Sequence, residues 1–201
     1  MFDLKNMSNG EKSDLADNNN TPGDVLEDLA KDGNKDIRAK VAYNSSTPNN
    51  ILRELGKSKD IWIRRNLAEN KNTPVDLLRD LAKDPDSWVR GNVAQHLNTP
   101  EDLLRYLAKD SEEFVRAYVA KHPKIPLDLL EQLAKDKAKL VRGYVANNTK
   151  TSVNMLVMIF ENEKSLYKGT KGYYVIKVLY ENPNLPAFAK RVIETLYGEW
   201  L

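Results

Sequence analysis

The chain repeats itself with a fixed period of 26 residues. Each block opens with a Thr-Pro pair or a close equivalent, and these pairs are Thr21-Pro22, Thr47-Pro48, Thr73-Pro74, Thr99-Pro100, Ile125-Pro126 and Thr151-Ser152. The blocks follow one template, T-P-x-D-L-L-x-x-L-A-K-D-x-x-x-x-V-R-x-x-V-A-x-N. A period of about 20 to 50 residues is typical of solenoids, in which each unit buries its apolar face only against its neighbours. The period therefore predicts a solenoid.

Each block is predicted to form two short helices joined by turns. In the first helix apolar residues recur at helical spacing, as in Leu77, Leu78 and Leu81. Thr is predicted to be its N-cap and Pro its first helical residue, and an Asp or Asn three places after the Thr would complete a capping box. The second helix has an inward pair such as Val89 and Val93, and it ends at an Asn or His, where we expect the left-handed conformation. The predicted fold class is all-α, an α-solenoid.

The blocks divide the chain into three parts. Residues 1–20 are predicted to form a polar segment and a partial capping repeat, residues 21–150 five repeats, and residues 151–201 a divergent sixth repeat and a C-terminal cap. The sixth repeat carries an insertion of eight residues around Leu166–Tyr173. We expect a cluster of aromatic residues to cover the final repeat, with a partner site as the alternative: Phe160, Tyr167, Tyr173, Tyr174, Tyr180, Phe188, Tyr197 and Trp200.

Composition narrows the function classes. The net charge of +2, from 31 basic and 29 acidic residues, gives no strong field for nucleic acid or a membrane. No apolar run approaches the roughly 20 residues of a membrane span, and residues 1–20 lack the apolar core of a signal peptide, so we expect a cytoplasmic protein. The absence of cysteine excludes disulfides, thiolate metal sites and a cysteine nucleophile. Since no catalytic triad, phosphate-binding glycine loop or EF-hand pattern is present, we predict neither enzyme activity nor a cofactor.

The string V-R-x-x-V-A-x-N-x-x-T-P-x-x-L-L-x-x-L-A-x-D resembles the leucine-rich repeat variant family, which is similar to HEAT repeats. The resemblance covers about residues 10–186. It implies a right-handed superhelix of alternating short helices and a role as a binding scaffold. One branch of the family carries an iron–sulfur cluster on a cysteine-rich segment, and this chain has no cysteine to hold one.

An arginine recurs once per repeat in the predicted second helix, and in four repeats an aspartate precedes it by six residues. The arginines are Arg38, Arg64, Arg90, Arg116 and Arg142; the aspartates are Asp32, Asp84, Asp110 and Asp136, with Ser58 at the remaining place. A forked guanidinium matches the geometry of a carboxylate. We therefore interpret the two series as a structural ladder, in which each Arg reaches an Asp on the turn of its own or the next repeat. A phosphate-binding stripe is the alternative.

Two histidines, His96 and His122, occupy the same place in adjacent repeats. Adjacent helices lie about 8–10 Å apart, too far for both rings to bind one zinc ion at about 2 Å. Other repeats have Asn at this place, so we interpret the histidines as helix-end residues and predict no metal site.

The predicted solvent face of the second helices comprises the two residues after each Arg and the residue after the following Ala. These are Ala39, Lys40, Tyr43, Arg65, Asn66, Glu69, Gly91, Asn92, Gln95, Ala117, Tyr118, Lys121, Gly143, Tyr144 and Asn147. Tyrosine enrichment with few carboxylates is typical of interfaces. From this set we predict the binding residues to be Lys40, Arg65, Asn66, Asn92, Tyr118, Lys121 and Tyr144. Packing of Tyr118 on Tyr144 within the stack is the alternative.

These observations predict a non-enzymatic scaffold that binds a protein or peptide through the second helices, without a membrane. A nucleic-acid-binding or DNA-repair protein is the alternative, by analogy with DNA glycosylases built from HEAT-like repeats, and that analogy rests on fold alone. The predicted face carries a charge of only about +2, whereas phosphate binding needs several cations whose counterions are released. A protein or peptide partner is therefore favoured.

Overall fold

The computed structural model describes residues 3–166 and 173–197. Within these ranges every regular element is an α-helix, which confirms the predicted all-α class. The helices are α1 (Asn9–Asp17), α2 (Gly23–Leu29), α3 (Lys35–Tyr43), α4 (Asn49–Gly56), α5 (Ile61–Glu69), α6 (Val75–Leu81), α7 (Ser87–Gln95), α8 (Glu101–Leu107), α9 (Glu113–Lys121), α10 (Leu127–Leu133), α11 (Lys139–Ala146), α12 (Val153–Leu166), α13 (Tyr173–Glu181) and α14 (Ala187–Tyr197).

The helices form two series that recur with the period of the sequence. First helices begin at residues 23, 49, 75, 101, 127 and 153, and second helices at residues 9, 35, 61, 87, 113 and 139. Helices α13 and α14 begin at residues 173 and 187, so the same pairing resumes after the predicted insertion. That insertion, around Leu166–Tyr173, falls largely outside the described residues, as do Tyr167, Trp200 and the side chains of Tyr173 and Tyr197. The alternation confirms a repeat architecture of the α-solenoid kind.

The chain divides into two compact units, a first unit of Met1–Leu103 and a second unit of Leu104–Leu201. In the first unit the second helices α1, α3, α5 and α7 contact one another in chain order, and the first helices α2, α4 and α6 pack against them. Side chains from both series meet in a continuous core, with Leu52, Ile63, Leu67 and Leu78 fully buried. Each such side chain stabilises the fold by about 1.5–3 kcal/mol relative to exposure.

The second unit is built in the same way. Helices α9, α11 and α13 are stacked, and α10, α12 and α14 pack against them. Its core contains Leu104, Leu130, Ile159 and Phe160, all almost completely buried. Of the aromatic cluster expected near the C-terminus, Phe160 is therefore a core residue, whereas Tyr174 and Phe188 are more than half exposed.

The recurring Thr-Pro pair acts differently from the prediction. Helix α4 begins after Pro48, whose ψ of 146° is extended, so Pro is not the first helical residue and Thr47 is not the N-cap. The Thr47 hydroxyl instead donates to the carbonyl of Val41 at 2.6 Å, in the last turn of α3. The equivalent threonines, Thr21, Thr73, Thr99 and Thr151, make the same bond to Leu15, Leu67, Val93 and Val145. Because carbonyls in a last turn lack their usual intrahelical partners, this Thr completes the helix before it.

The Asn or His at the ends of α3, α5, α7 and α9 is extended, not left-handed as predicted. Asn70 has φ of −67° and ψ of 114°, in the extended region, and the side chain is almost fully buried. Its amide nitrogen donates to the carbonyls of Ala42 and Asn44 in the preceding repeat, both at 2.8 Å. Equivalent bonds join Asn44 to Ala16 and Asn18, Asn148 to Ala120, and Asn182 to Ala146. These residues form an asparagine ladder that ties each repeat to the one before.

Candidate binding surface on the second helices

The arginine ladder lies mostly inside the stack. Nη1 of each arginine donates to the carbonyls of the residues six and five places earlier, at 2.5–3.3 Å, in Arg38, Arg64, Arg90, Arg116 and Arg142. Arg64 also forms a two-pronged ion pair with Asp84 of the next repeat at 2.6 and 3.3 Å, and Arg116 does so with Asp136 at 2.7 and 2.9 Å. Since several of these charges are buried, this arrangement supports a structural role.

The remaining ladder residues take different partners. Arg142 pairs with Glu163, whose side chain is fully buried, and Lys12 binds Asp32 at 2.9 Å. A carboxylate oxygen of Asp110 accepts the backbone N–H of Glu112 at 2.9 Å, and Asp32, Asp84 and Asp136 hold their turns in the same way. Burial acts to raise the pKa of Asp136, but the hydrogen bonds from Arg116 and the Ala138 N–H outweigh it and hold the pKa below its ordinary value.

A second series of ion pairs, which the sequence analysis missed, runs along the first helices. Arg53 pairs with Asp76, Arg79 with Asp102 and Arg105 with Asp128, in each case across 23 residues. These aspartates are the ones expected to form capping boxes. The arginines recur with the same 26-residue period as the aspartates, and that shared period was the sequence signal for the pairs. The aspartates are largely exposed, so solvent screens these pairs and each contributes little to stability.

Part of the predicted solvent face is buried. Gly91, Ala117 and Gly143, each directly after a ladder arginine, are buried. A Cβ at Gly143 would come within 2.6 Å of the Tyr174 ring. Gly143 is small because α13 approaches α11 closely there, and none of the three buried residues is part of the surface.

In the first unit the predicted binding residues are engaged within the protein. Arg65 forms an ion pair with both oxygens of Asp86 at 3.0 and 2.9 Å, and this pair lowers the pKa of Asp86. Lys40 pairs with Asp17. Asn66 donates to the Ala39 carbonyl at 2.7 Å, and Asn92 donates to the Glu69 carboxylate at 2.7 Å. All four bonds cross from one repeat to its neighbour, so these residues fix the surface on which they lie.

Two tryptophans on this surface were missed. Trp62 and Trp88 are the second residues of α5 and α7 and are 58% and 49% exposed. The Arg65 guanidinium lies over the Trp62 ring, 5.1 Å from its centre. Helical spacing in the sequence could have identified them. Trp62 and Trp88 lie four residues before Asn66 and Asn92, and residues four apart share one face of a helix. We define the second-helix face of the first unit as the following residues: Asp36, Lys40, Tyr43, Trp62, Arg65, Asn66, Glu69, Trp88, Asn92 and Gln95.

Two clefts adjoin this face at the C-terminal ends of α3, α5 and α7. One encloses about 510 Å³ and the other about 460 Å³, and both are lined by Tyr43, Glu69 and Lys71. Tyr43 is 57% exposed, and Leu97 in the first cleft is 61% exposed. The shared residues make the clefts one groove with apolar, amide and charged groups on its walls.

In the second unit the corresponding face carries a row of aromatic rings. Phe114 and Tyr118 meet edge to face with centres 5.9 Å apart, and Tyr118 and Tyr144 do so at 6.3 Å. Tyr174 covers Gly143, and burial together with the nearby Tyr144 raises the pKa of its hydroxyl. The contact between Tyr118 and Tyr144 is the packing considered as the alternative above, although both side chains stay partly exposed. Lys121 is exposed beside them.

His96 replaces asparagine in the asparagine ladder. Its Nε2 lies 2.8 Å from the Asn70 carbonyl, and its Nδ1 accepts the backbone N–H of Asn98 at 3.1 Å. Since Nδ1 accepts, the proton is on Nε2 and the ring is neutral. Burial lowers the pKa of His96, and the bond to Asn70 opposes this only in part. His122 is buried at the equivalent place, and its Nδ1 accepts from the Lys124 N–H at 3.1 Å.

This geometry predicts that the stability of the protein depends on pH through His96, and that asparagine at this position would remove that dependence. The unfolded chain protonates His96 more readily than the folded chain, so its contribution to stability is full above the unfolded pKa of about 6.5 and is lost as the pH falls through the lower folded value. We expect His96→Asn to keep the bond to Asn70 and to lose less stability than the wild type between about pH 7 and pH 5. Urea unfolding across that range measures the difference. Parallel pH profiles of the two proteins would show that His96 does not titrate as described.

Within residues 3–166 and 173–197 no group of three or more His, Cys, Asp or Glu side chains is arranged to hold a metal ion. Over the same ranges, none of the helices has the length and apolar character needed to cross a bilayer.

Comparison with known proteins bears on the fold. No protein-family model matches the chain, and no curated protein sequence matches it. It is similar to a solved structure described as a leucine-rich repeat variant with a novel repetitive protein structural motif. The two share 24% identity with a TM-score of 0.58, over 86% of this chain and 70% of the other. The chain thus has the fold of an α-helical repeat protein.

Proposed function

We propose that the chain is a non-enzymatic scaffold of the leucine-rich repeat variant kind, which binds a protein or peptide through its second helices. The observation that carries the proposal is the recurrence of partly exposed aromatic side chains on the second helices. Trp62 and Trp88 occupy equivalent places in the first unit, and in the second unit Tyr118 and Tyr144 occupy equivalent places with Phe114 and Tyr174 on the same face. The similarity to a leucine-rich repeat variant supports the scaffold role at the level of fold.

Rigid aromatic rings suit such a role. Trp and Tyr offer a large apolar contact area with few rotatable bonds, so little side-chain entropy is lost when a partner binds. Here the rings are held further by neighbours, since Arg65 lies over Trp62 and Tyr118 contacts Tyr144. A partner meets a surface that is already ordered.

Charge pairing argues against nucleic acid as the partner. On the first unit's second-helix face two cations, Lys40 and Arg65, are balanced by Asp36 and Glu69. Both cations are also paired, with Asp17 and Asp86. Nucleic-acid affinity comes largely from cations that replace the counterions of phosphates, and cations already paired within the protein supply little of it.

Selection from a displayed random-peptide library on the immobilised protein tests the proposal. We expect peptides whose affinity falls by at least about fivefold in Tyr118→Ala or Tyr144→Ala, because each ring supplies apolar contact area on the second helices. Tyr106→Ala is the matched control, since Tyr106 is 52% exposed on the first helix α8. Thermal unfolding of all three variants checks that they remain folded.

Two results would overturn this proposal. One is that the selected peptides bind all three variants equally well. The other is that duplex DNA binds at micromolar concentration and about 150 mM salt, with an affinity that falls steeply as salt rises.

A further inference from the structure

The two tryptophans of the first unit form a repeated platform. Trp62 and Trp88 occupy the same place in adjacent repeats, and both are about half exposed. Arg65 of the Arg65–Asp86 ion pair lies over Trp62, and Trp88 follows Asp86 by two residues. That pair is bidentate, so it holds the Arg65 guanidinium against the Trp62 ring. At least the first ring is therefore fixed in orientation before any ligand arrives.

The spacing of this platform matches one extended conformation of a peptide. Adjacent packed helices lie about 8–10 Å apart, so equivalent side chains of neighbouring repeats recur at about that distance. A polyproline II helix has three residues per turn and rises about 3.1 Å per residue, which gives a repeat of about 9 Å. A polyproline II segment that crosses the second helices would thus present the same side of its chain to Trp62 and then to Trp88.

The polar groups here suit a neutral ligand that supplies hydrogen-bond acceptors. The charges of the face balance, as shown above, so it does not select a strongly charged ligand. The Trp62 indole N–H has no hydrogen-bond partner among the described residues. The exposed Gln95 amide lies on the same face and can also donate. Polyproline II segments make no internal hydrogen bonds, and prolines offer only carbonyl acceptors.

We propose that the second-helix face of the first unit binds a proline-rich peptide in the polyproline II conformation, with proline rings packed on Trp62 and Trp88. The proposal rests on the scaffold function proposed above and names the chemistry of the partner. Proline-rich segments are partly ordered before binding, so docking on an aromatic surface costs them little conformational entropy. The Trp62 indole N–H donates to a ligand carbonyl.

Fluorescence anisotropy with a dye-labelled peptide of about ten prolines tests the inference. We expect binding to the wild type, and at least about tenfold weaker binding to Trp62→Ala and to Trp88→Ala. Trp62→Phe should lie between wild type and Trp62→Ala, because it keeps a ring but loses the indole N–H. Tyr106→Ala should bind like the wild type. A Gly-Ser peptide of the same length and dye should not bind, since it lacks both the rings and the preformed conformation.

Other outcomes would overturn the inference. Absence of polyproline binding, or binding that neither tryptophan variant weakens, contradicts it. So does binding of a neutral oligosaccharide, such as a chitin or cellulose fragment, that depends on Trp62 and Trp88 when the proline peptide does not bind. If library peptides without proline still depend on Tyr118 and Tyr144, the scaffold function stands and only the polyproline assignment fails.

Discussion

Replacing Arg142 by alanine is expected to lower the free energy of unfolding by about 3–5 kcal/mol, because it leaves a buried carboxylate without its cation. The Glu163 side chain has no exposed surface, and the Arg142 side chain is only 6% exposed. Nε of Arg142 donates to one Glu163 oxygen at 2.6 Å, and Nη1 donates to the carbonyls of Asp136 and Lys137. Among the described residues the other oxygen, Oε2, has no hydrogen-bond partner, so Arg142 is the main compensation for this charge. Chemical unfolding monitored by circular dichroism measures the loss.

The same ladder supplies a matched control in Arg38. Arg38 donates to the carbonyls of Asp32 and Gly33 as Arg142 does to its own turn, but Ser58 stands where a carboxylate would follow. Arg38→Ala should therefore lower stability by only about 1 kcal/mol. The double variant Arg142→Met, Glu163→Leu should recover most of the loss, since well-packed apolar residues can replace a buried ion pair. If Arg142→Ala and Arg38→Ala are equally mild, Glu163 is not held in the core as a buried ion.

The sequence predicted the fold well because the fold depends on local periodicity. Apolar residues at helical spacing, repeated every 26 residues, are sufficient to place two helices in each block. The ends of the helices were predicted less well. Thr47 and Asn70 were given roles within their own turns, as N-cap and left-handed residue, whereas Thr47 completes the preceding helix and Asn70 bonds to the preceding repeat. Both residue types favour local bonds, and the local pattern does not show that tertiary packing directs them elsewhere.

The candidate surface was predicted only in part, for a related reason. Counting forward from each ladder arginine found Asn66 and Asn92 but passed over Trp62 and Trp88, which lie one helical turn earlier. It also included Gly91 and Gly143, which are both buried, Gly143 because α13 approaches α11 closely there. Which side of a helix meets its neighbour depends on the stacking of repeats, and a single repeat sequence does not determine that. The partner of Arg142 was missed because Glu163 lies one place beyond the repeat position of the ladder aspartates.

Replacing Asn70 by alanine is expected to lower the free energy of unfolding by about 3 kcal/mol, since it removes two buried hydrogen bonds between repeats and orphans a carbonyl. The amide nitrogen of Asn70 donates to the carbonyls of Ala42 and Asn44 at 2.8 Å, and its amide oxygen accepts the Asn72 N–H at 3.0 Å. In the variant the Asn44 carbonyl still accepts a hydrogen bond from the Thr47 N–H. The Ala42 carbonyl loses the Asn70 amide, which is the donor described for it. Thermal and urea unfolding measure the effect.

Two further variants distinguish loss of the asparagine-ladder hydrogen bonds from a general effect of changing a residue in the turn. Asn72→Ala removes an exposed side chain from the same turn, where it donates to the Ser45 carbonyl, and should lower stability by less than about 1 kcal/mol. Asn70→His places in this repeat the side chain that already acts at His96, whose Nε2 bonds to the carbonyl 26 residues earlier. Above about pH 7 its neutral ring should therefore restore the bond to Asn44 but not the bond to Ala42, and should recover only part of the loss. The recovery should fade below about pH 6, where protonation removes the Nδ1 acceptor. If Asn70→Ala unfolds like Asn72→Ala, the ladder bonds do not hold adjacent repeats together, and apolar burial alone accounts for the stack.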